Sequence, residues 1–275
     1  MRWHKVRNKG YEKMKREELH KLLFETLCII DDICKKENVR WFLDSGTELG
    51  SLREQDIIPW DDDIDIVMPR PEYDKFVRCM RKEPNSKYIL KTPDDEDYCY
   101  EFSKVIDNTT LVVEDDVEGS NIGVWVDIFP LDGLRGTDIV QEKLLYFYQR
   151  CRVASIYKSL PKSNALIRPL MFVFWKLCKA IGPKFFLNKI VKLSQKYSYD
   201  DSEFVGFGGD IYLENRLENR MWFEDIIDIP FEDRVFKAPA SYDAYLKSLY
   251  GNYMQLPPEE KRERHFIVKF QLPND

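Results

Sequence analysis

No run of eighteen apolar residues occurs in the 275-residue chain, whereas a membrane-spanning helix needs about 20. Metal-ligand cysteine spacing is missing too. Cys28, Cys34, Cys79, Cys99, Cys151 and Cys178 include no CxxC pair, and Cys28, Cys34 and Cys178 fall in apolar helical patterns, which predicts reduced, buried thiols. The 12 glycines and 14 prolines are ordinary usage, so collagen-like and low-complexity readings fail. There is no surplus of positive charge: 42 Lys and Arg against 48 Asp and Glu leave a net −6, with no global basic footprint for nucleic acid. Residues Met1 to Lys21 are polar, without the apolar stretch of a signal peptide, which predicts a cytoplasmic protein. The sequence contains no internal repeat.

What is present is the composition of a globular protein, 44% hydrophobic and 14% aromatic. Charge is unevenly spread. From Lys143 to Tyr199 there is no acidic residue, and 12 basic ones give that segment +12, leaving −18 for the rest of the chain. Such asymmetry points to one face meeting something anionic. The expected division is a core domain over residues 1–136, a basic helical segment over 137–200, and a C-terminal part, 201–275, that completes the core domain.

Apolar residues at Leu19, Leu22, Leu23, Leu27, Ile30, Ile33 and Cys34 carry the spacing of an amphipathic helix from Glu17 to Asn38. Val39, Trp41 and Leu43 alternate as a short strand, followed by the turn-prone Asp44-Ser45-Gly46-Thr47 and a helical stretch from Glu48 to Arg53. A strand is predicted from about Asp62, with Asp61, Asp63 and Asp65 on one face and Ile64, Ile66 and Met68 on the other. A helix follows over Glu72 to Arg81. Pro84 to Asp97 reads as loop, Tyr98 to Val113 as two strands joined near Asp107-Asn108, and Glu114 to Glu118 as a hairpin tip or mobile loop. From Gly123 to Phe129, Val124, Val126 and Ile128 share one face of a strand and Trp125, Asp127 and Phe129 the other. Residues 137–199 are expected to be mostly helical, broken at Pro161, Pro169 and Gly182-Pro183, with a further helix from Tyr242 to Tyr250.

Two aspartates two residues apart on a strand bring carboxylates within reach of a hard divalent cation. An isolated pair of this kind is more often a polar sheet face paired with Lys or Arg. Here Ser45-Gly46-Thr47 stands upstream at a strand-to-helix turn, where backbone N–H groups and a helix N-terminus suit phosphate. A third carboxylate, Asp127, follows on a later strand. Together these make the layout of a nucleotidyltransferase-type site.

The motifs Gly46-Thr47-Glu48-Leu49-Gly50-Ser51-Leu52-Arg53 and Ile58-Pro59-Trp60-Asp61-Asp62-Asp63-Ile64-Asp65-Ile66 closely resemble the signature of the LicD family, which includes the fukutin-like proteins. Val126-Asp127-Ile128-Phe129-Pro130-Leu131-Asp132-Gly133, the segment Phe231 to Pro239, and Tyr250-Gly251-Asn252-Tyr253-Met254 with Pro257-Pro258 extend the resemblance, which spans about Leu19 to His265. The sequence departs from the family at Glu48, where an aliphatic residue is common, at Ser51, and over Glu54-Gln55-Asp56. The resemblance implies an α+β, nucleotidyltransferase-like fold, a mixed sheet flanked by helices, with the basic helical segment added.

It also implies metal-dependent transfer of a substituted phosphate, such as phosphocholine, from a CDP-linked donor to a sugar hydroxyl. The acceptor would be a cell-surface glycan or its lipid-linked precursor, of lipopolysaccharide or teichoic acid type. Asp63, Asp65 and Asp127 would be the catalytic carboxylates and the ligands of Mg2+ or Mn2+. Asp127 would double as base. Ser45, Gly46, Thr47, Arg53, Asp61 and Lys104 would bind substrate, with Arg53 open to a structural role and Lys104 to simple exposure. Trp60, Trp125 and Tyr100 are candidates to cage a quaternary ammonium. Tyr250, Tyr253 and Met254 are expected in the core, and His265 on the surface or at the cleft. Nucleotidyl transfer and a non-catalytic glycan-binding module are the competing readings. The basic segment is read as a solvated face, an acceptor site, or a peripheral contact with the inner face of the cell membrane.

Overall fold

The computed structural model describes residues 15–113, 122–160, 166–208, 217–262 and 269–271. Helix α1, Arg16–Glu37, buries Leu19, Leu23, Leu27, Ile30 and Cys34 on the stripe read from the sequence. Glu17 and Glu18 in its first turn and Lys35 and Lys36 in its last complement the helix dipole, and Asn38, in the left-handed region, ends it. There follow β1 (Phe42–Leu43), α2 (Ser45–Arg53), β2 (Asp65–Pro69), α3 (Arg70–Lys82), β3 (Tyr88–Lys91), β4 (Ser103–Val113) and β5 (Ile122–Leu134). The basic segment forms α4 (Ile139–Ile156), α5 (Arg168–Ile181) and α6 (Pro183–Ser194). The chain then supplies β6 (Phe204–Gly206), β7 (Glu218–Asn219), β8 (Ile226–Phe231), β9 (Arg234–Pro239), α7 (Tyr242–Tyr250) and β10 (Lys269–Gln271).

The result is an α+β fold around a mixed, eight-stranded sheet. Its order is β1-β2-β5-β4-β10, with β3 also on β4, β6 on β5 and β7 on β6. The β2–β5 pair is parallel and the remaining pairs are antiparallel. Strand parity sorts the core into two layers. Trp41, Leu43, Ile66, Met68, Val124, Val126 and Ile128 join a cluster with α1, α3 and the β8–β9 hairpin. Phe42, Val67 and Leu131 join a second cluster with Phe223 and with Tyr245 and Leu246 of α7. Being covered on both faces, the central strands do not alternate between buried and exposed. The six cysteines are free, four of them buried, with Cys79 and Cys99 half-buried.

Several boundaries differ from the sequence reading. The strand expected from Asp62 starts at Asp65, because the preceding segment is held by other partners. Arg16 donates to the Pro59 carbonyl (2.7 Å), His20 Nε2 pairs with the Asp61 carbonyl (2.8 Å), and the Asp61 N–H bonds back to Ile58 (2.9 Å). The expected loop between Pro84 and Asp97 contains β3, entered through a turn in which Asn85 Oδ1 accepts from the N–H groups of Lys87 and Tyr88. Tyr98 to Val113 holds one strand, not two. The turn read near Asp107 is a bulge, where the Asp107 carboxylate accepts from the N–H and hydroxyl of Thr109. Pro169 breaks nothing: it stands in the first turn of α5, where its missing N–H costs no hydrogen bond. Glu114 to Glu118, Pro161 and His265 lie outside the described residues.

Candidate active site

Five strands bring a row of charges across one face of the sheet. Asp65 of β2 pairs in parallel register with Asp127 of β5, Asp127 faces Lys104 of β4, and Lys104 faces Lys91 of β3. On the far side, Asp44, directly after β1, donates its N–H to the Asp65 carbonyl (3.0 Å). Three carboxylates are thereby followed by two ammonium groups. Two carboxylates on adjacent strands, about 5 Å apart, repel by roughly 3 kcal/mol at an effective dielectric of about 20. The row must therefore be compensated.

Lys104 supplies part of the compensation. It is 3% exposed and donates to Asp127 Oδ1 at 2.6 Å, while Trp125 Nε1 donates to Oδ2 at 3.0 Å. The Lys104 ammonium lies 4.0 Å from the ring centre of Trp125, 4.9 Å from Tyr100 and 5.0 Å from Phe102. Lys104 is thus neither exposed nor on the cavity wall. The rings of Tyr100 and Trp125, candidates to cage a substrate ammonium, cage this one. Burial pushes the Asp127 carboxyl upward, opposed by the charge of Lys104 and the hydrogen bonds from Lys104 and Trp125.

Asp65 is the less compensated group. Burial, then the charges of Asp63, Asp127 and Asp44, raise its carboxyl well above the usual range against the single counterweight of Lys104. It opens on a cavity of about 470 Å³ lined by Ser45, Gly46, Arg53, Trp60, Asp61 and Asp63, among others. Ser45 holds a positive φ of 48° at the start of α2, and a Cβ at Gly46 would stand 3.0 Å from Asp61 Oδ2. A side chain at position 46 would fill this corner. Thr47 is turned away from the cavity: its hydroxyl accepts the Asp65 N–H at 2.9 Å, which makes it a brace for the aspartate. Arg53 lines the cavity with Nε on Glu54 (2.6 Å) and Nη1 on the Tyr253 carbonyl (3.3 Å), while its buried Nη2 has no acceptor among the described residues. A phosphate oxygen would satisfy that donor.

Sequence reasoning missed the opposite wall. Tyr250, Asn252, Tyr253 and Gln255 line the cavity; Tyr253 is also buried in the second core cluster, as expected, whereas Tyr250 and Met254, expected in the core too, are 45% and 56% exposed. Gly251, at φ 64°, turns the chain after α7 and sends these residues toward the aspartates. The Gly-Asn-Tyr sequence after an apolar helix is the signal for such a turn. Trp60 is a wall residue, with the Arg262 and Arg53 guanidinium groups 4.8 and 5.9 Å from its ring centre. Asp44 was also missed; the Tyr245 hydroxyl donates to its carboxylate.

Among the described residues, no three His, Cys, Asp or Glu side chains are gathered as a ready-made metal chelate. The donor set nonetheless suits a hard cation. Asp63 and Asp65 are oxygen donors on one cavity, and the raised proton affinity of Asp65 marks a place where positive charge is wanted. Asp127 differs, since both its oxygens already accept hydrogen bonds.

A mixed sheet carrying acidic residues beside a helix N-terminus, over an open cavity, is the arrangement of a nucleotidyltransferase-fold protein. Residues 38–164 match the family model described as the LicD/FKTN/FKRP nucleotidyltransferase domain. The chain is 28% identical over 251 residues to the lipopolysaccharide cholinephosphotransferase LicD of Haemophilus influenzae, an alignment covering 86% of this chain and 89% of that one. A shorter stretch of 69 residues is 36% identical to an uncharacterised protein of Rickettsia typhi, covering 25% of this chain and 22% of that protein. Residues 38–164 are thus similar to the LicD-type nucleotidyltransferase domain, and most of the chain is similar to a LicD cholinephosphotransferase.

Proposed function

We propose that this protein is a phosphotransferase that moves a substituted phosphate, phosphocholine in the first instance, from a CDP-linked donor to a hydroxyl of a cell-surface glycan. Support comes from the near full-length similarity to a lipopolysaccharide cholinephosphotransferase. The carrying observation is the in-register pair Asp65 and Asp127, with Asp65 open to a cavity that also holds Asp63 and the unpartnered Nη2 of Arg53.

In this reading Asp63 and Asp65 would hold Mg2+ or Mn2+, whose charge would neutralise the donor diphosphate and the departing nucleotide. Arg53 binds a phosphoryl oxygen. Ser45 and Gly46 leave room for the phosphate at the first turn of α2. Asp127, held by Lys104 and Trp125, is the carboxylate nearest in the sheet to Asp65 and takes the proton of the attacking hydroxyl once Lys104 yields it. The leaving group is CMP, and the new bond joins the glycan oxygen to phosphorus.

The test uses CDP-choline labelled in the choline, with a lipopolysaccharide or teichoic acid precursor as acceptor. Label on the glycan with equal release of CMP supports the proposal. Transfer of the cytidylyl group instead would mean nucleotidyl transfer, and no turnover with any CDP-linked donor would leave a binding module.

A further inference from the structure

Helix α5 is scarcely buried by the fold. Of its 14 residues only Cys178 is buried. Leu170, Phe172, Val173, Phe174, Leu177 and Ile181 face solvent, Leu170 at 73% and Leu177 at 58% exposure. Phe185, in the first turn of α6, is exposed as well. The core beneath consists of Cys151, Cys178 and Phe186, with Tyr148 and Ala154 against it, and makes little use of these side chains. Contiguous apolar surface of this kind marks a contact site rather than an ordinary exposed face.

Its surroundings are basic. Lys176 lies 5.1 Å from the ring centre of Trp175 and 5.6 Å from that of Phe172, Lys179 lies 5.5 Å from Trp175, and Lys189 lies 5.6 Å from Phe185. No acidic residue occurs from Lys143 to Tyr199.

We propose that α5 and the start of α6 form a docking face for the surface of an anionic lipid bilayer. The aromatic and aliphatic side chains would enter the boundary between headgroups and acyl chains, and the lysines would meet lipid phosphates. Charge selects this occupant. A second copy meeting the first through the same face would set the same lysines against one another. An anionic bilayer presents the opposite sign across the whole patch, and repels the −18 carried by the rest of the chain, so it orients the molecule face-on. No helix among the described residues is long and apolar enough to cross a membrane. A 14-residue helix spans about 21 Å, short of the roughly 30 Å hydrocarbon core, and suits the plane of the interface. The face is fixed to the catalytic half: Gln149 and Arg152 of α4 donate to the buried Glu101, two residues before β4.

The test is co-sedimentation of the full chain with vesicles of phosphatidylcholine, alone or mixed with phosphatidylglycerol. The wild-type protein is expected to partition onto the mixed vesicles at least ~10-fold better than onto the neutral ones. Lys176→Glu/Lys179→Glu/Lys189→Glu should lose about 100-fold on the mixed vesicles. Phe172→Ser/Phe174→Ser/Leu177→Ser, which keeps the charge, should lose at least ~10-fold. Melting curves check that both variants stay folded. Equal partition onto the two vesicle types, absence of partition, or a dimer in solution that the apolar variant dissociates would overturn the proposal. None of these outcomes bears on the catalytic reading.

Discussion

The hydroxyl of Thr47 accepts the backbone N–H of Asp65 at 2.9 Å, tying the first turn of α2 to the first residue of β2. The turn at the start of α2 and the first residue of β2 are separated by 18 residues, yet this bond ties them together.

Thr47→Val keeps the shape and removes the acceptor. The buried N–H of Asp65 then lacks its partner, at a cost of about 1–3 kcal/mol, and the carboxylate is free to shift. Turnover with a CDP-linked donor is expected to fall by roughly 10- to 100-fold, since small misplacements at a reacting centre are costly. Thr47→Ser, which keeps the hydroxyl, should restore most of it. Equal activity in the Val and Ser variants would show that the brace has no part in positioning Asp65.

Asp65→Asn should abolish turnover while the melting temperature holds or rises. Asp65 is crowded by Asp63, Asp127 and Asp44, so replacing its carboxyl relieves repulsion in the folded state and also removes the ligand proposed for the cation. Donor binding by calorimetry should depend on Mg2+ or Mn2+ in the wild type and lose that dependence in the variant. Donor affinity unchanged by EDTA would count against any cation at Asp63 and Asp65.

The elements legible in the sequence are those with strong local signals. The apolar stripes of α1, α3 and α7 recur at helical spacing, and the Asp61 to Ile66 run points to the site without any knowledge of the sheet. Pairings made only by the fold were not legible. Lys104 meets Asp127 across 23 residues, and Arg70 meets Asp132 across 62 through two parallel bonds of 2.6 and 2.8 Å. Each lysine or arginine looks like any surface cation until the strands are placed. The four-residue β3 was hidden for another reason: Lys87 and Lys91 at its ends interrupt the apolar pattern, and sheet pairing overrides the local polarity.

Lys104→Met removes the counterion of Asp127 but leaves an aliphatic stem among Tyr100, Phe102 and Trp125. An unpaired buried carboxylate commonly costs about 3–5 kcal/mol. Urea denaturation should show a loss of that order. The double variant Lys104→Met/Asp127→Asn should recover most of the stability and none of the activity. A double variant no more stable than Lys104→Met would place the value of Lys104 in its contacts with the rings rather than in the ion pair.

Glu48 is fully buried in α2, and neither of its carboxylate oxygens has a hydrogen-bond partner among the described residues. Burial first, then the charges of Asp44 and Glu218, push its carboxyl well above the usual range, so the folded state favours the protonated form more than the unfolded chain does. The unfolded chain ionises at about 4.3. Unfolding above that pH therefore releases a proton, and the stability contributed by this group is lost as pH rises from the unfolded value toward the raised folded one. Leucine has a similar volume and no charge to desolvate. Glu48→Leu should be more stable than wild type by about 1–3 kcal/mol at pH 8, with a margin that narrows toward pH 4.5. Melting curves of both proteins at pH 4.5, 6 and 8 measure this. A margin that shrinks as pH rises would mean that Glu48 is ionised and favourably paired in the folded protein, contrary to its surroundings.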